Sequence, residues 1–288
     1  MSNTFKVFAV VGAGGAIGKP VLKSLLSSSA TKVVVLTRPD SSSMFEPNPK
    51  LAVEKVKADD ENAVAAVLQK HGVEVLISTI GFTGFESQVV LADAAKHAGV
   101  QLFVPSDFCG PTEGLTEGLL IVKEKVVGHA KEIGLPTLRV YNGLFTEHSH
   151  VVGAVEDTGK FLVPNPGDKP FSLTSLSDIG AFLAYTFTTL APSQLLNTAF
   201  RIEGERLTFS ELGAIYGELK SVPVEHVSKV PEGLPRGFIL EYFWKDLNSG
   251  QCVSSYDLVQ DKDLGTSALS NNLWAEYKWR SVRDVLSK

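Results

Sequence analysis
The chain has 288 residues, 44% of them hydrophobic, with 27 basic against 32 acidic side chains and a net charge of −5. That length suits one large α/β domain, or a domain with a smaller appendage, and the apolar fraction can fill a sizeable core. The mixed charge gives no basic footprint for nucleic acid, and no apolar stretch is long enough to span a bilayer. The start, Met-Ser-Asn-Thr-Phe-Lys, has no signal-peptide pattern, so a cytoplasmic protein is expected. Cys109 and Cys252 lie far apart, without metal or redox spacing, and read as reduced thiols.

The first element is a continuous apolar run, Val7 to Val11, as a strand buried on both faces requires. Glycines follow at Gly12, Gly15 and Gly18, with an extra one at Gly14, and a helix is expected from Ala16 to Ser27. The spacing is G-x-x-G-x-x-G; the shorter G-x-G-x-x-G fails because Ile17 stands at its third glycine. Gly12 permits a tight turn, Gly14 and Gly15 admit a diphosphate to the backbone amides, and Gly18 lets helix and strand pack closely. The helix directs its positive end at the phosphates. Gly12, Gly14, Gly15, Ala16, Ile17 and Gly18 are therefore the expected diphosphate contacts, a plain structural turn being the alternative.

Lys32 to Arg38 reads as a second strand whose last residue decides the cofactor. An acid there holds a ribose 2′-hydroxyl, whereas Arg38 suits a 2′-phosphate, so NADP(H) is expected over NAD(H). A solvated arginine is the bland alternative, and Asp40 nearby works against the phosphate. Val53 to Asp60 is the third strand. Asp60 is read first as the N-cap of a helix from Glu61 to His71, and second as an adenine contact. Val73 to Ser78 is the fourth strand, and its exit loop, Thr79, Ile80, Gly81 and Phe82, is expected on the nicotinamide side. A helix from Glu86 to Ala98, a fifth strand from Leu102 to Pro105 ending in Ser106, a helix from Leu119 to Ile133 and a sixth strand from Pro136 to Asn142 complete the alternation. Right-handed crossovers then give a Rossmann-type doubly wound parallel sheet.

Beyond Gly143 the pattern changes to short strands at 159–163, 171–174 and 200–202, with helices opening near Asp178 and Thr208. We expect residues 1–145 to form the NAD(P)-binding region and 146–288 a smaller α+β substrate-binding region interleaved with the same domain. Trp244, Trp274 and Trp279, with Phe238, Tyr242 and Phe243, read as a substrate lid or, alternatively, as core. His148 and His150 lack a supporting ligand cluster, so no metal is expected. Tyr141 and Asn142, at the end of the sixth strand, are better placed to touch a ligand.

Ordinary short-chain dehydrogenases carry Tyr-x-x-x-Lys on the helix after the fifth strand. The lysine is present as Lys123, but Leu119 occupies the tyrosine position. Val11 to Lys19, Leu36-Thr-Arg38, Leu76-Ile-Ser-Thr-Ile-Gly81, Phe103-Val-Pro-Ser-Asp-Phe108, and Lys123 through Gly134-Leu-Pro136 follow in order. Together they resemble the NmrA-like and isoflavone-reductase-like family of atypical short-chain reductases, strongly over the first half and loosely over the rest. The resemblance implies that Lys123 is the catalytic residue, as general acid/base or as a positive group at the nicotinamide ribose and substrate oxygen. Alone, it would read as a surface lysine. Ala16 stands where plant-type members have an aromatic, and Val140 to Phe145 is closer to fungal-type members.

Two functions are carried forward. One is an NADPH-dependent reductase, an oxidoreductase acting on a small aromatic, phenylpropanoid-like molecule. The other is a catalytically silent NADP(H)-binding redox sensor of the NmrA type that regulates a protein partner. Retention of Lys123 favours the enzyme, and the missing tyrosine leaves the sensor open. An epimerase or dehydratase is disfavoured by the same missing tyrosine. A homodimer is left open.

Overall fold
The computed structural model describes residues 4–287. The expectation for the chain start rests partly on residues 1–3, outside the described residues. The elements run β1 (Val7–Val11), α1 (Gly18–Ser27), β2 (Lys32–Thr37), β3 (Leu51–Lys55), α2 (Glu61–His71), β4 (Val75–Ser78), α3 (Ser87–His97), β5 (Leu102–Val104), α4 (Ile121–Glu132) and β6 (Leu138–Tyr141). There follow β7 (Leu144–Phe145), α5 (Ser149–Val152), α6 (Val155–Thr158), β8 (Phe161–Pro164), β9 (Phe171–Thr174), α7 (Leu176–Thr189), β10 (Thr198–Arg201) and β11 (Glu205–Leu207). The last are α8 (Phe209–Lys220), β12 (Val224–Val227), α9 (Gly237–Leu247), β13 (Tyr256–Asp257), β14 (Lys262–Asp263) and α10 (Val282–Leu286). They divide into two compact units.

The first unit extends through Phe108 and takes in Gly114–Val140 and Ile179–Phe200. Its sheet is parallel, in the order β3-β2-β1-β4-β5. The order reverses between β1 and β4, which opens a crevice at the carboxyl ends of these two strands. β1, β2 and β4 are buried almost throughout because helices cover both faces. Ala9, Val34, Leu76 and Phe103 share a core with Val64 and Leu68 of α2, Leu91 of α3 and Val126 of α4. On the opposite face Phe8 stacks on Phe187 of α7, ring centroids 5.9 Å apart. Asp60 accepts from the Ala63 amide at 3.0 Å, so the capping role is the observed one.

β6 differs from expectation. It pairs with β10, and only an isolated bridge, Phe103 to Thr137, joins its neighbourhood to β5. Phe103 donates its amide to the Pro136 carbonyl at 2.9 Å, but the next donor position on that edge of β5 is Pro105, which has no N–H. The ladder therefore stops at five strands.

The second unit comprises Cys109–Glu113, Tyr141–Asp178 and the chain from Arg201 onward. β9 lies between β11, antiparallel, and β7, parallel, and β8 pairs in parallel with β12. Phe161, Phe171, Phe209, Tyr216 and Trp244 form its core. Trp244 is 5% exposed and donates Nε1–H to the Val152 carbonyl at 2.7 Å, a core residue in fact. Thr208 and Glu211 form the expected capping box on α8. The start of α7 is capped from a distant part of the chain. The Glu147 carboxylate accepts from the Leu176 amide at 3.0 Å and from Ser175 Oγ at 2.8 Å, a negative charge at the helix's positive end.

Candidate functional site
The glycine turn between β1 and α1 builds one wall of the crevice. Gly12 has φ +84°, and a Cβ there would lie 2.8 Å from the Thr79 carbonyl oxygen. A Cβ on Gly18 would run into the Gly12 carbonyl and lie 2.7 Å from Ala13 Cα, so only glycine lets α1 start this close to β1. α1 has no side-chain cap and no acid in its first turn, which leaves the positive end of its dipole to an outside anion, although the Lys19 amide already donates to the Gly15 carbonyl at 3.1 Å and Pro20 has no N–H.

The crevice is a 550 Å³ cleft whose lining includes Gly12, Gly14 and Gly15, then Arg38, Ser41 and Ser43 beyond β2, and Thr79, Ile80 and Gly81 beyond β4. Ala16 is exposed, while Ile17 and Gly18 are buried at the root of α1. Thr79 is locked to β1, its amide and Oγ1 both donating to the Val11 carbonyl at 2.8 and 2.7 Å. A second cavity of 500 Å³ shares Arg38, Ala58 and Ser87 and adds Asp40, Lys57 and Asp59. Arg38 and Asp40 approach to 3.9 Å, with side chains 76% and 80% exposed, so the guanidinium is free to turn toward a phosphate. A helix N-terminus without an acidic or side-chain cap and a guanidinium with two serines suit an elongated ligand carrying phosphates.

Lys123 enters α4 two residues past its start and is 6% exposed. Its Nζ donates to the Ser106 carbonyl at 2.6 Å and lies 4.8 Å from the Phe85 ring centre, a cation–π contact. Ser106 is the hub. Its amide donates to Gln88 Oε1 at 2.7 Å, and its Oγ donates to the carbonyl of Ile80, on the cleft wall, at 2.9 Å. Lys123 is thus tied through Ser106 to the cleft. Gln88 and Phe85 are additions that sequence pattern did not supply; each looks like an ordinary core-facing position of α3 or of the turn before it.

Behind this group lies a buried ion triad. Arg139 donates Nε–H to Asp107 at 2.6 Å and Nη1–H to Glu124 at 2.7 Å. Asp107 adjoins Ser106 and Glu124 adjoins Lys123, so the guanidinium clasps the two backbone segments that carry the lysine contact.

Tyr141 and Asn142 belong to the second unit and are both fully buried. The Arg201 guanidinium lies 5.1 Å over the Tyr141 ring, and Asn142 Nδ2 donates to the Gly143 carbonyl at 2.8 Å. In the same unit the His148 ring meets Phe145 edge-on, and His150 Nε2 lies 3.3 Å from Glu156. Among the described residues no group of three or more His, Cys, Asp or Glu is placed to hold a metal ion, and no helix is long and apolar enough to cross a membrane.

A sequence model described as the NmrA-like family matches residues 4–249. The chain belongs to the NmrA-like family. Asnovolin J 5′,6′-dehydrogenase nvfM of Aspergillus novofumigatus is 30% identical over 208 residues, 64% of this chain and 60% of that protein's length. Phenylcoumaran benzylic ether reductase PT1 of Pinus taeda is 26% identical over 256 residues, covering 78% of this chain and 81% of the reductase. Among solved structures, the binary complex of leucoanthocyanidin reductase with NADPH from Vitis vinifera superposes with a TM-score of 0.78 at 19% identity, covering 97% of this chain and 98% of that one. The shared fold is the Rossmann-type α/β arrangement of this NmrA-like chain.

Proposed function
We propose that this NmrA-like protein is an NADPH-dependent reductase of a small aromatic, phenylpropanoid-like molecule. The observation that carries the proposal is Lys123, a buried lysine bonded through Ser106 to the wall of a cleft that also presents a glycine turn and Arg38. The names of its relatives, reductases and a dehydrogenase, and the NADPH bound in the leucoanthocyanidin reductase structure support it.

In this proposal the amides of Gly12 to Gly18 hold the diphosphate, and Arg38, Ser41 and Ser43 hold the 2′-phosphate. Thr79 to Phe82 border the nicotinamide, and NADPH supplies a hydride. Lys123, released from the Ser106 carbonyl, donates a hydrogen bond and then a proton to the substrate oxygen on which charge develops. Tyr141 and Asn142 remain proposed ligand contacts on the grounds of their position after the sixth strand.

A second reading, the silent NADP(H) sensor, draws support from the same lysine. Its ammonium is already engaged by a carbonyl and an aromatic face, which a purely structural residue would also show. NADPH oxidation is to be followed with a panel of aromatic enones and aldehydes, comparing wild type with Lys123→Ala. Turnover that the substitution lowers at least a hundredfold, with NADPH affinity kept within about threefold, supports the reductase. Tight NADPH binding without turnover on any compound supports the sensor.

A further inference from the structure
We propose that Phe82 is the residue that selects an aromatic ring in the substrate, an inference that rests on the reductase reading above and names the contact behind its substrate class. Phe82 opens a 3-10 turn over Phe82–Gly84 and is 57% exposed, unusual for a phenyl group with an apolar partner beside it. Gly81, just before it, and Gly84, two residues on, both line the cleft, and the Gly84 amide donates to the Gly81 carbonyl at 3.0 Å. That bond closes the turn, so the ring stands on a backbone that borders the cleft next to Ile80 and Gly81.

The ring is also one member of a stack. Phe82 and Phe85 lie 5.3 Å apart between centroids at 57°, a tilted aromatic pair, and Phe85 is 7% exposed. Phe85 in turn lies under the Lys123 ammonium at 4.8 Å. The order is therefore ammonium, buried ring, exposed ring. An aryl group resting on Phe82 extends the stack by one ring and covers the apolar surface that the free protein leaves to water. An aliphatic chain covers the same surface but gains nothing from the ring quadrupole, which is the basis for selection.

The test uses the full chain, NADPH, and two ketones of equal carbon count, benzalacetone and 3-decen-2-one. Phe82→Ala is expected to raise KM for benzalacetone about tenfold and for the aliphatic ketone no more than about twofold, and Phe82→Trp to restore the aromatic preference. Calorimetric binding of both ketones to the NADP⁺-loaded protein runs in parallel, so that the outcomes separate. No turnover, with benzalacetone binding that Phe82→Ala weakens tenfold, rejects the reductase reading and keeps the ring contact. Turnover that Phe82→Ala leaves unchanged, or changes equally for both ketones, overturns the ring contact and keeps the reductase. A wild type that neither binds nor reduces benzalacetone overturns the ring contact outright.

Discussion

Arg139→Met is the perturbation that most sharply separates structure from chemistry in this site. The Arg139 side chain is 7% exposed and Asp107 is 1% exposed, whereas Glu124 is 31% exposed. Removing one partner of a buried ion pair costs about 3–5 kcal/mol, because the remaining charge keeps its desolvation without its main compensation. Glu124 can turn to water and adds little, so Asp107 sets the loss and the low end, about 3 kcal/mol, is expected. For a chain of this size that lowers the thermal midpoint by roughly 6–12 °C. The geometric consequence differs from the thermodynamic one. Asp107 and Glu124 flank Ser106 and Lys123 in sequence, so releasing the clasp loosens the lysine while leaving the glycine turn untouched. At a temperature where the variant is still folded, kcat should fall at least tenfold with NADPH affinity within about twofold, and Arg139→Lys should recover part of the rate. Calorimetric unfolding and steady-state kinetics measure the two effects. A stability loss under about 1 kcal/mol, or a kcat equal to wild type in the folded variant, would refute the reasoning from the triad.

Two further substitutions test the electrostatics. Asp40→Ser frees Arg38 from an exposed partner at 3.9 Å; NADPH affinity should rise about two- to threefold at low salt and the gain should shrink as salt is added, whereas an unchanged or weaker affinity counts against Arg38 as the phosphate contact. Burial raises the Asp246 carboxyl above its ordinary value, although the Cys252 thiol donates to it at 3.1 Å. An acid raised in this way holds its proton more tightly when folded, so its contribution to stability falls as pH rises from the ordinary carboxylate value through the raised one. Asp246→Asn removes that slope, and urea unfolding from pH 4 to pH 7 should show the variant gaining on wild type as pH rises; a gap that narrows instead contradicts the assignment.

The first half of the fold was readable because its constraints leave a mark on residue type. Gly12 at φ +84° and Gly18 against the Gly12 carbonyl tolerate nothing else, and strands covered on both faces must be apolar throughout. Asp60 was readable as a cap for the same reason, since its side chain acts on its own helix. Ser106 was read from its place at the end of a strand, but its partnership with Lys123 runs through a main-chain carbonyl, which any residue owns. Gln88, Phe85 and Arg139 act across 18, 38 or 32 positions of chain respectively, through contacts that carry no spacing signature. The end of the central sheet at β5 followed from Pro105, which was visible but whose effect depends on which strand lies beside it. In the second unit several strands are only two to four residues long, too short for a period of two to show. Glu147 capping α7 is the same difficulty in another form, a cap supplied from 29 positions away.

The measurement closest to the centre of this account is calorimetric titration of NADPH and NADH into the wild type and Arg38→Ala. The wild type is expected to bind NADPH at least about tenfold more tightly than NADH, and Arg38→Ala to remove most of that difference while leaving NADH affinity nearly unchanged. Absence of heat with either nucleotide, or equal affinity for the two in the wild type, would contradict it.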